Sequence, residues 1–436
     1  MPRLLADLTP LRTSPEFRRL WWGLSLANAG SQMTIIAVQL QVYQITGSTV
    51  AVGGIGLAAL IPTVIMGLYG GALLDAFDRR KVALIASVIV WCATIGIVVQ
   101  AFCHVGSLPL LYGLLAVQSG ATAVNSPARS AIIPRLVPAA QLPAANALNT
   151  LTFNFALMVG PVIGAFLVST VGYGWTYSVD MCTFTAALYA IYRLPPQPPL
   201  TVGGTVADAG ASAEKPARGW RSVAEGFVYL ATRRNILMTF LCDMCAMIFA
   251  YPRVLFPAVG AVMIGGGDRT TGWLTAAMAV GSTLAGVFSG PLGRVRRQGR
   301  AVWIAVSIYG LAVTGFGAVL VAVGHTHPAH IIWPAMIAAM AALAVAGMAD
   351  AISAVFRGTI LQVAAPDNLR GRLQGVFTVV VTGGPRLGEM VGGGAAGLIG
   401  EGGAAVAGGL VCAAALAVLM RWHRPFLRYD AKHPVA

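Results

Sequence analysis

The sequence predicts an all-α membrane protein: twelve transmembrane helices in two six-helix bundles, with both termini cytoplasmic. Three observations predict it. Only 10% of the 436 residues are charged and 57% are hydrophobic, with a mean hydropathy of +0.75, against roughly 25% charged in a soluble domain. Apolar runs recur at the length of about 20 residues that one bilayer crossing needs. Of the 29 Lys and Arg, 26 fall on one set of alternate loops, the set expected to face the cytoplasm.

The formal charge of +14 has the same origin and gives no reason to expect nucleic acid. The 52 glycines suit helices that approach closely in lipid. All six cysteines lie in apolar segments; Cys242 and Cys245 form a C-x-x-C inside an expected helix, where a structural reading outweighs metal or redox chemistry. No metal and no cofactor is expected. The charged, proline-containing start is not a signal peptide. No G-x-x-x-x-G-K-[ST] occurs and no soluble domain is present to hold one, which argues against an ATP-driven pump; no pattern points to an enzyme.

In order, residues 1–19 form a basic cytoplasmic lead and 20–193 the first bundle, with spans at 20–44, 50–74, 82–103, 109–128, 146–169 and 175–192. On the first span Asn28, Gln32 and Gln39 share one helical stripe. Such a stripe is costly against lipid, so it faces protein or a water-filled cavity. Gly71, Asp75, Arg79 and Arg80 lie in a short charged hinge between two long uncharged runs. Arg129, Pro134, Arg135, Pro138 and Pro143 mark a loop, the fifth span carries Gly160-Pro161-x-x-Gly164, and Asp180 lies in the sixth. Residues 194–234 are a cytoplasmic linker: a Pro, Gly and Ala-rich stretch, then an amphipathic surface helix with Val223, Phe227 and Leu230 set against Arg221, Glu225 and Arg233. The second bundle, 235–420, has spans at 235–259, 271–293, 301–323, 331–356, 373–399 and 402–420; 421–436 is a cytoplasmic tail.

The halves repeat. Gly160-Pro161-x-x-Gly164 is matched by Gly384-Pro385-x-x-Gly388, Arg129 and Pro138 by Arg357 and Pro366, and Gly71-Ala72-Leu73 by Gly290-Pro291-Leu292. Parallel repeats of this kind relate two bundles by an axis along the membrane normal, with a substrate site between them near the midplane. Charged groups at membrane depth are functional candidates. Asp243 lies in the seventh span and Asp350 in the tenth, seven residues before Arg357, which this reading places in the following loop. Burial disfavours a charged carboxylate, so both acids are suited to take up a proton or hold substrate. Arg386 and Glu389, three apart, can pair on one helix face. Arg253, between Pro252 and Pro257, is placed to hold an anion, close a gate or reach the interface. Asp75 can pair with Arg79 or Arg80 as a conformational latch.

These residues carry a resemblance. The chain resembles the major facilitator superfamily: Gly71, Asp75, Arg79 and Arg80 match its loop signature, with Ala76 and Asp78 as departures. Gly160, Pro161 and Gly164 are similar to its antiporter signature, in which alanines such as Ala147 and Ala156 replace upstream glycines. Asn125–Arg129 with Leu142–Leu148, Pro252–Pro257, Phe356–Gln362 and Leu369–Arg372 are similar to its enterobactin-exporter branch. The resemblance implies the major facilitator fold in the cell's inner membrane, a monomer in the lipid bilayer, and a secondary active exporter. It implies a small amphipathic substrate such as a siderophore, alternating access, and protons moving inward as the driving force. The fourth span lacks the arginine of many drug:proton antiporters at 114–120, so the proton route is not transferred. A multidrug efflux pump, which Met244, Met247, Phe249 and Phe256 would suit, and a non-transporting membrane sensor or scaffold are the alternatives.

Overall fold

A computed structural model describes residues 8–138, 141–195, 230, 232–288, 295–364 and 367–430, with side chains described except at 68, 70–76, 131, 143, 147, 150, 154, 287, 362–379 and 381–382. Most of the expected linker and surface helix (194–234), and the side chains of Gly71 and Asp75, lie outside the described residues. The helices are α1 (Pro15–Thr46), α2 (Thr49–Ala76), α3 (Arg79–Phe102), α4 (Leu108–Ile132), α5 (Leu142–Val171) and α6 (Tyr173–Tyr192). They continue with α7 (Arg234–Met244), α8 (Asp268–Val287), α9 (Gln298–Val323) and α10 (Trp333–Ala364). A last helical run, Asp367–Trp422, is broken at Gly400, where φ is 74°; its two parts are α11 (367–399) and α12 (401–422). Among the described residues there is no strand, only an isolated antiparallel bridge between Arg297 and Asp430.

Seven of the described stretches are long and apolar enough to cross a membrane: Thr49–Gly67, Arg79–Phe102, Ala144–Val171, Arg234–Met263, Gln298–Val323, Trp333–Leu361 and Gly383–Trp422. Local chemistry sets several ends. Asp78 caps α3, its carboxylate accepting from the Arg80 amide at 2.8 Å, so the departure from the loop signature at this position has a structural use. Gly400 adopts a backbone that other residues resist. The tenth expected helix ended at Phe356; α10 runs on to Ala364, so Arg357 is a helical residue and is buried.

The chain forms two compact units. One comprises Met1–Gln32, Ile61–Ala156 and Tyr177–Ala224; the other comprises Met33–Leu60, Leu157–Thr176 and Glu225–Ala436. The first is centred on a cluster including Phe17, Ala86, Val124, Ile132, Leu148 and Ile191. Polar side chains tie its helices together: Asn125 donates to Ser87 at 2.9 Å, Gln118 to Thr94 at 3.1 Å, and Trp91 to Thr185 at 3.1 Å. In an apolar surround such bonds hold helices in register.

The second unit relies on close backbone contact. On α8 a Cβ at Gly281 would collide with the Ala344 carbonyl oxygen; on α10 a Cβ at Gly347 would collide with that of Met278. Ser282 donates to the Gly347 carbonyl at 2.9 Å across the same crossing. Phe256 and Phe316 meet edge to face at 5.9 Å. Gly347→Leu should therefore lower the thermal unfolding temperature in detergent by several degrees, an overpacking cost of about 1–3 kcal/mol. Gly315→Leu, where a Cβ meets nothing within 4 Å, should leave it unchanged. Equal effects would contradict the crossing.

Candidate functional site

The site grows from a helix that does not stay regular. After α7, residues Cys245–Phe249 widen into a π turn; the chain leaves helical geometry at 250–252, turns through a 3-10 segment at Arg253–Leu255, and passes Phe256–Ala258 into a second π turn at Val259–Met263. Pro252 and Pro257 lack the N–H that a continuous helix needs. Backbone released in a membrane must find other partners. The Ala250 carbonyl accepts from the buried Tyr309 hydroxyl at 3.0 Å, and the Phe256 carbonyl from Thr271 at 3.1 Å. Sequence reading expected one unbroken span at 235–259; the two prolines and these replacement bonds explain the interruption.

On the α7 side of this break, Asp243 pairs with Arg357 of α10, both buried. Arg357 also reaches Asp350 at 3.5 Å. Asp350 and Arg357 are seven residues apart, two turns, and so share a face of α10. One guanidinium thus serves two carboxylates. The acids differ in access: the Asp350 side chain is 38% exposed and that of Asp243 only 9%. Arg253 lies beyond the break, half-buried, in the 3-10 segment Arg253–Leu255.

A second polar group lies on α11. Arg386 donates to Glu389 at 3.1 Å, and Gln39 of α1 donates to the other Glu389 oxygen at 3.2 Å. At the α12 start, Glu401 accepts from Thr49 of α2 at 2.6 Å and meets His325 at 2.8 Å. Between these two groups α2 and α11 touch backbone to backbone. A Cβ on Gly53 would lie 2.6 Å from the Glu389 carbonyl oxygen, and one on Gly393 2.8 Å from both the Gly53 Cα and the Thr49 carbonyl oxygen. All of these contacts lie within the second unit.

Other expected residues fall elsewhere. Arg80 donates to the Tyr192 carbonyl at the α6 end and sits over the Tyr192 ring at 6.0 Å, where a cation suits a helix C-terminus. Arg79 is half-buried, while the side chains of Gly71 and Asp75 are outside the described residues. Gly160 and Pro161 are buried in α5, and Gly164 lets α5 approach α1 so closely that a Cβ would be 2.8 Å from the Met33 Cα. Gln32 is half-buried; of the predicted polar stripe it is Gln39 that bonds to the α11 pair. Asp180 is buried, packed where a Cβ on Gly30 would approach it at 2.7 Å. The four apolar residues expected to suit a drug have different surroundings. Phe256 is buried on Phe316, Met247 packs along Gly384, and Met244 and Phe249 line an open groove with Val418 and Leu419.

Sequence reading missed Arg357 and Glu401 as members of polar groups. The spacing from Asp350 to Arg357, seven residues, places them on one face only if the helix continues past Phe356, as α10 does. Glu401 had only its position beside Gly400 to mark it. Among the described residues no cluster of His, Cys, Asp and Glu could hold a metal ion, and Cys242, Cys245 and Cys412 are buried free thiols.

Broken helix, buried ion cluster and close glycine crossings belong to a membrane transporter, and solved structures agree on the fold. The chain aligns with a POT family transporter in complex with 5-aminolevulinic acid at a TM-score of 0.70, 11% identical over 95% of this chain and 97% of that one. It aligns with a bacterial homologue of the iron transporter ferroportin at 0.67, 13% identical over 94% and 98%. The chain belongs to the family described as "Transmembrane secretion effector", which matches residues 5–434. It is similar to the enterobactin exporters of Shigella boydii serotype 18 and Escherichia coli O1:K1, 27% identical over 392 and 398 residues respectively, in each case 89% of this chain and 87% of the relative. The protein is thus a multi-pass inner-membrane transporter of the major facilitator type, not an enzyme.

Removing one partner of a buried ion pair costs about 3–5 kcal/mol, whereas replacing both with neutral groups is far cheaper. Asp243→Asn alone should therefore lower the unfolding temperature in detergent markedly, and adding Arg357→Gln should recover most of the loss. A single variant as stable as wild type would show that the pair contributes nothing.

Proposed function

We propose that the protein is a secondary active exporter that moves a siderophore-like, small amphipathic molecule out of the cytoplasm by alternating access, driven by protons moving inward. The observation that carries this reading is the Asp243–Arg357–Asp350 cluster beside the interrupted seventh span. Discontinuous helices with ionisable groups mark substrate and coupling-ion sites in secondary transporters. The names of the relatives, enterobactin exporters similar along nearly the whole chain, support the substrate class and the direction.

In this proposal Asp350, the more exposed acid, exchanges its proton, and Asp243 keeps Arg357 in place. With Asp350 charged, Arg357 is shared between two carboxylates. Exchange requires proton and substrate to compete at Asp350: the charged carboxylate accepts hydrogen bonds from the hydroxyl groups of the substrate, and a proton arriving from outside takes that acceptor away and releases the substrate. Arg253 and the Arg386–Glu389 pair, with Gln32 on the same polar stripe as Gln39, are proposed as further substrate or proton contacts. The α2–α11 contact, flanked by the Gln39–Glu389 and Thr49–Glu401 bonds, is proposed as the gate that separates when the site opens to that face.

The proposal includes twelve spans in two six-helix bundles, 20–193 and 235–420, with termini and linker in the cytoplasm. The distribution of Lys and Arg supports that orientation. Gly71, Asp75, Arg79 and Arg80 are proposed as the cytoplasmic latch, Gly160, Pro161 and Gly164 as the antiporter motif, and the working unit as a monomer in the bilayer.

The test is flux of a catecholate siderophore in proteoliposomes under an imposed pH gradient. Wild type should transport only with the gradient. Asp350→Asn should lose at least nine-tenths of that flux, about 1.4 kcal/mol or more, while remaining monodisperse. Gradient-independent flux in wild type, or full flux in Asp350→Asn, would defeat the coupling mechanism.

A further inference from the structure

The groove between α9 and α10 offers a site of a different kind. It holds about 470 Å³ and is lined almost wholly by apolar side chains, among them Ile304, Ile308, Val345 and Ile352. Arg297 and Arg300 close one end, and no acidic residue lines it. Asp430, whose backbone pairs with Arg297, is not in the lining. From Arg300 to Ile308 the groove follows eight residues of α9, about 12 Å at 1.5 Å per residue, long enough to seat much of an acyl chain. Ile304, Ile308 and Val345 are 41%, 42% and 46% exposed. In a membrane protein such apolar exposure is toward lipid tails. The two arginines stand at the α9 N-terminal end, where a span meets a leaflet surface.

We propose that this groove binds an anionic phospholipid, its phosphate held by Arg297 and Arg300 and one acyl chain lying along Ile304 and Ile308. Charge complementarity selects the headgroup, and the continuity of charged end and apolar trough selects a lipid over a soluble phosphate. Basic pockets between transmembrane helices are recognised by acidic lipid headgroups. A zwitterionic lipid offers the same chain and no net charge, and so gains nothing from the arginines. None of Asp243, Asp350 and Arg357 lines the groove, and the proposal does not depend on the direction or driving force of transport.

The test is native mass spectrometry of the full-length protein in detergent, titrated with phosphatidylglycerol or phosphatidylcholine of matched chains. Wild type should retain phosphatidylglycerol preferentially. R297Q/R300Q should lose that preference, by roughly fivefold per arginine for charges near an anionic headgroup. Ala301→Trp, which fills the trough and keeps both arginines, should reduce retention as well. Glycerol 3-phosphate, which has the phosphate and no chain, should not displace the lipid. Equal retention of the two lipids by wild type, an unchanged preference in R297Q/R300Q, or displacement by glycerol 3-phosphate at equal concentration would each overturn the proposal. Unfolding temperature, measured on the same samples, verifies that the variants are folded; a variant that is not folded is replaced by R297K/R300Q, for which a partial loss is expected.

Discussion

One guanidinium holds two acids in an environment where none of the three charges is cheap. Arg357 pairs with Asp243 and reaches Asp350 at 3.5 Å. Taking ions out of water costs several kcal/mol each, so such a group survives only when its partners are close and fixed. Much of the second unit provides that fixing. The π turn after α7 sets the end that carries Asp243, Tyr309 occupies the carbonyl freed at Ala250, and the glycine crossing of α8 and α10 holds the helix that carries Asp350 and Arg357. The cluster combines one positive and two negative groups, one negative group being more exposed. That imbalance is the physical basis of the proposed exchange: a single proton changes which carboxylate Arg357 serves.

The same economy appears along α11 and α12. Glycines bring α2 against α11 with no side chain between, and each end of that contact carries a carboxylate met by a neutral donor, Gln39 at Glu389 and Thr49 at Glu401. Hydrogen bonds of this kind between helices contribute modestly in lipid, about 1 kcal/mol. A layer built of them and of van der Waals contact between glycines can separate and reform with each acid still partnered, because Glu389 keeps Arg386 and Glu401 keeps its hydrogen bond to His325. These properties suit a proposed gate better than a permanent seam.

Much of the architecture was legible in the sequence because the bilayer is a demanding solvent. Charge must leave the spans, so helical membrane segments can be read from the apolar runs alone. The pairing of Arg386 with Glu389 was legible from spacing. The destination of Arg357 was not: it stood at the end of an apolar run and resembled a loop arginine, and only the continuation of α10 to Ala364 and the approach of α7 show it buried. Nor was the break in the seventh span. Pro252 and Pro257 were visible, but a proline in a membrane helix gives either a kink or an interruption, and partners from other helices, here Tyr309 and Thr271, decide which. Arg80 shows the reverse. Its position by Asp75 pointed to a nearby partner, and the structure adds a distant one: its guanidinium reaches the end of α6, more than a hundred residues away in sequence.

In the proposed cycle one site exchanges a proton for substrate through Asp350. The most direct measurement is the proton balance of binding: addition of a catecholate siderophore to detergent-solubilised protein in weakly buffered solution, followed with a pH-sensitive dye. Wild type should show a net change in bound protons that disappears in Asp350→Asn while siderophore binding itself remains detectable. Binding by wild type with no change in bound protons, or an unaltered change in Asp350→Asn, would contradict it.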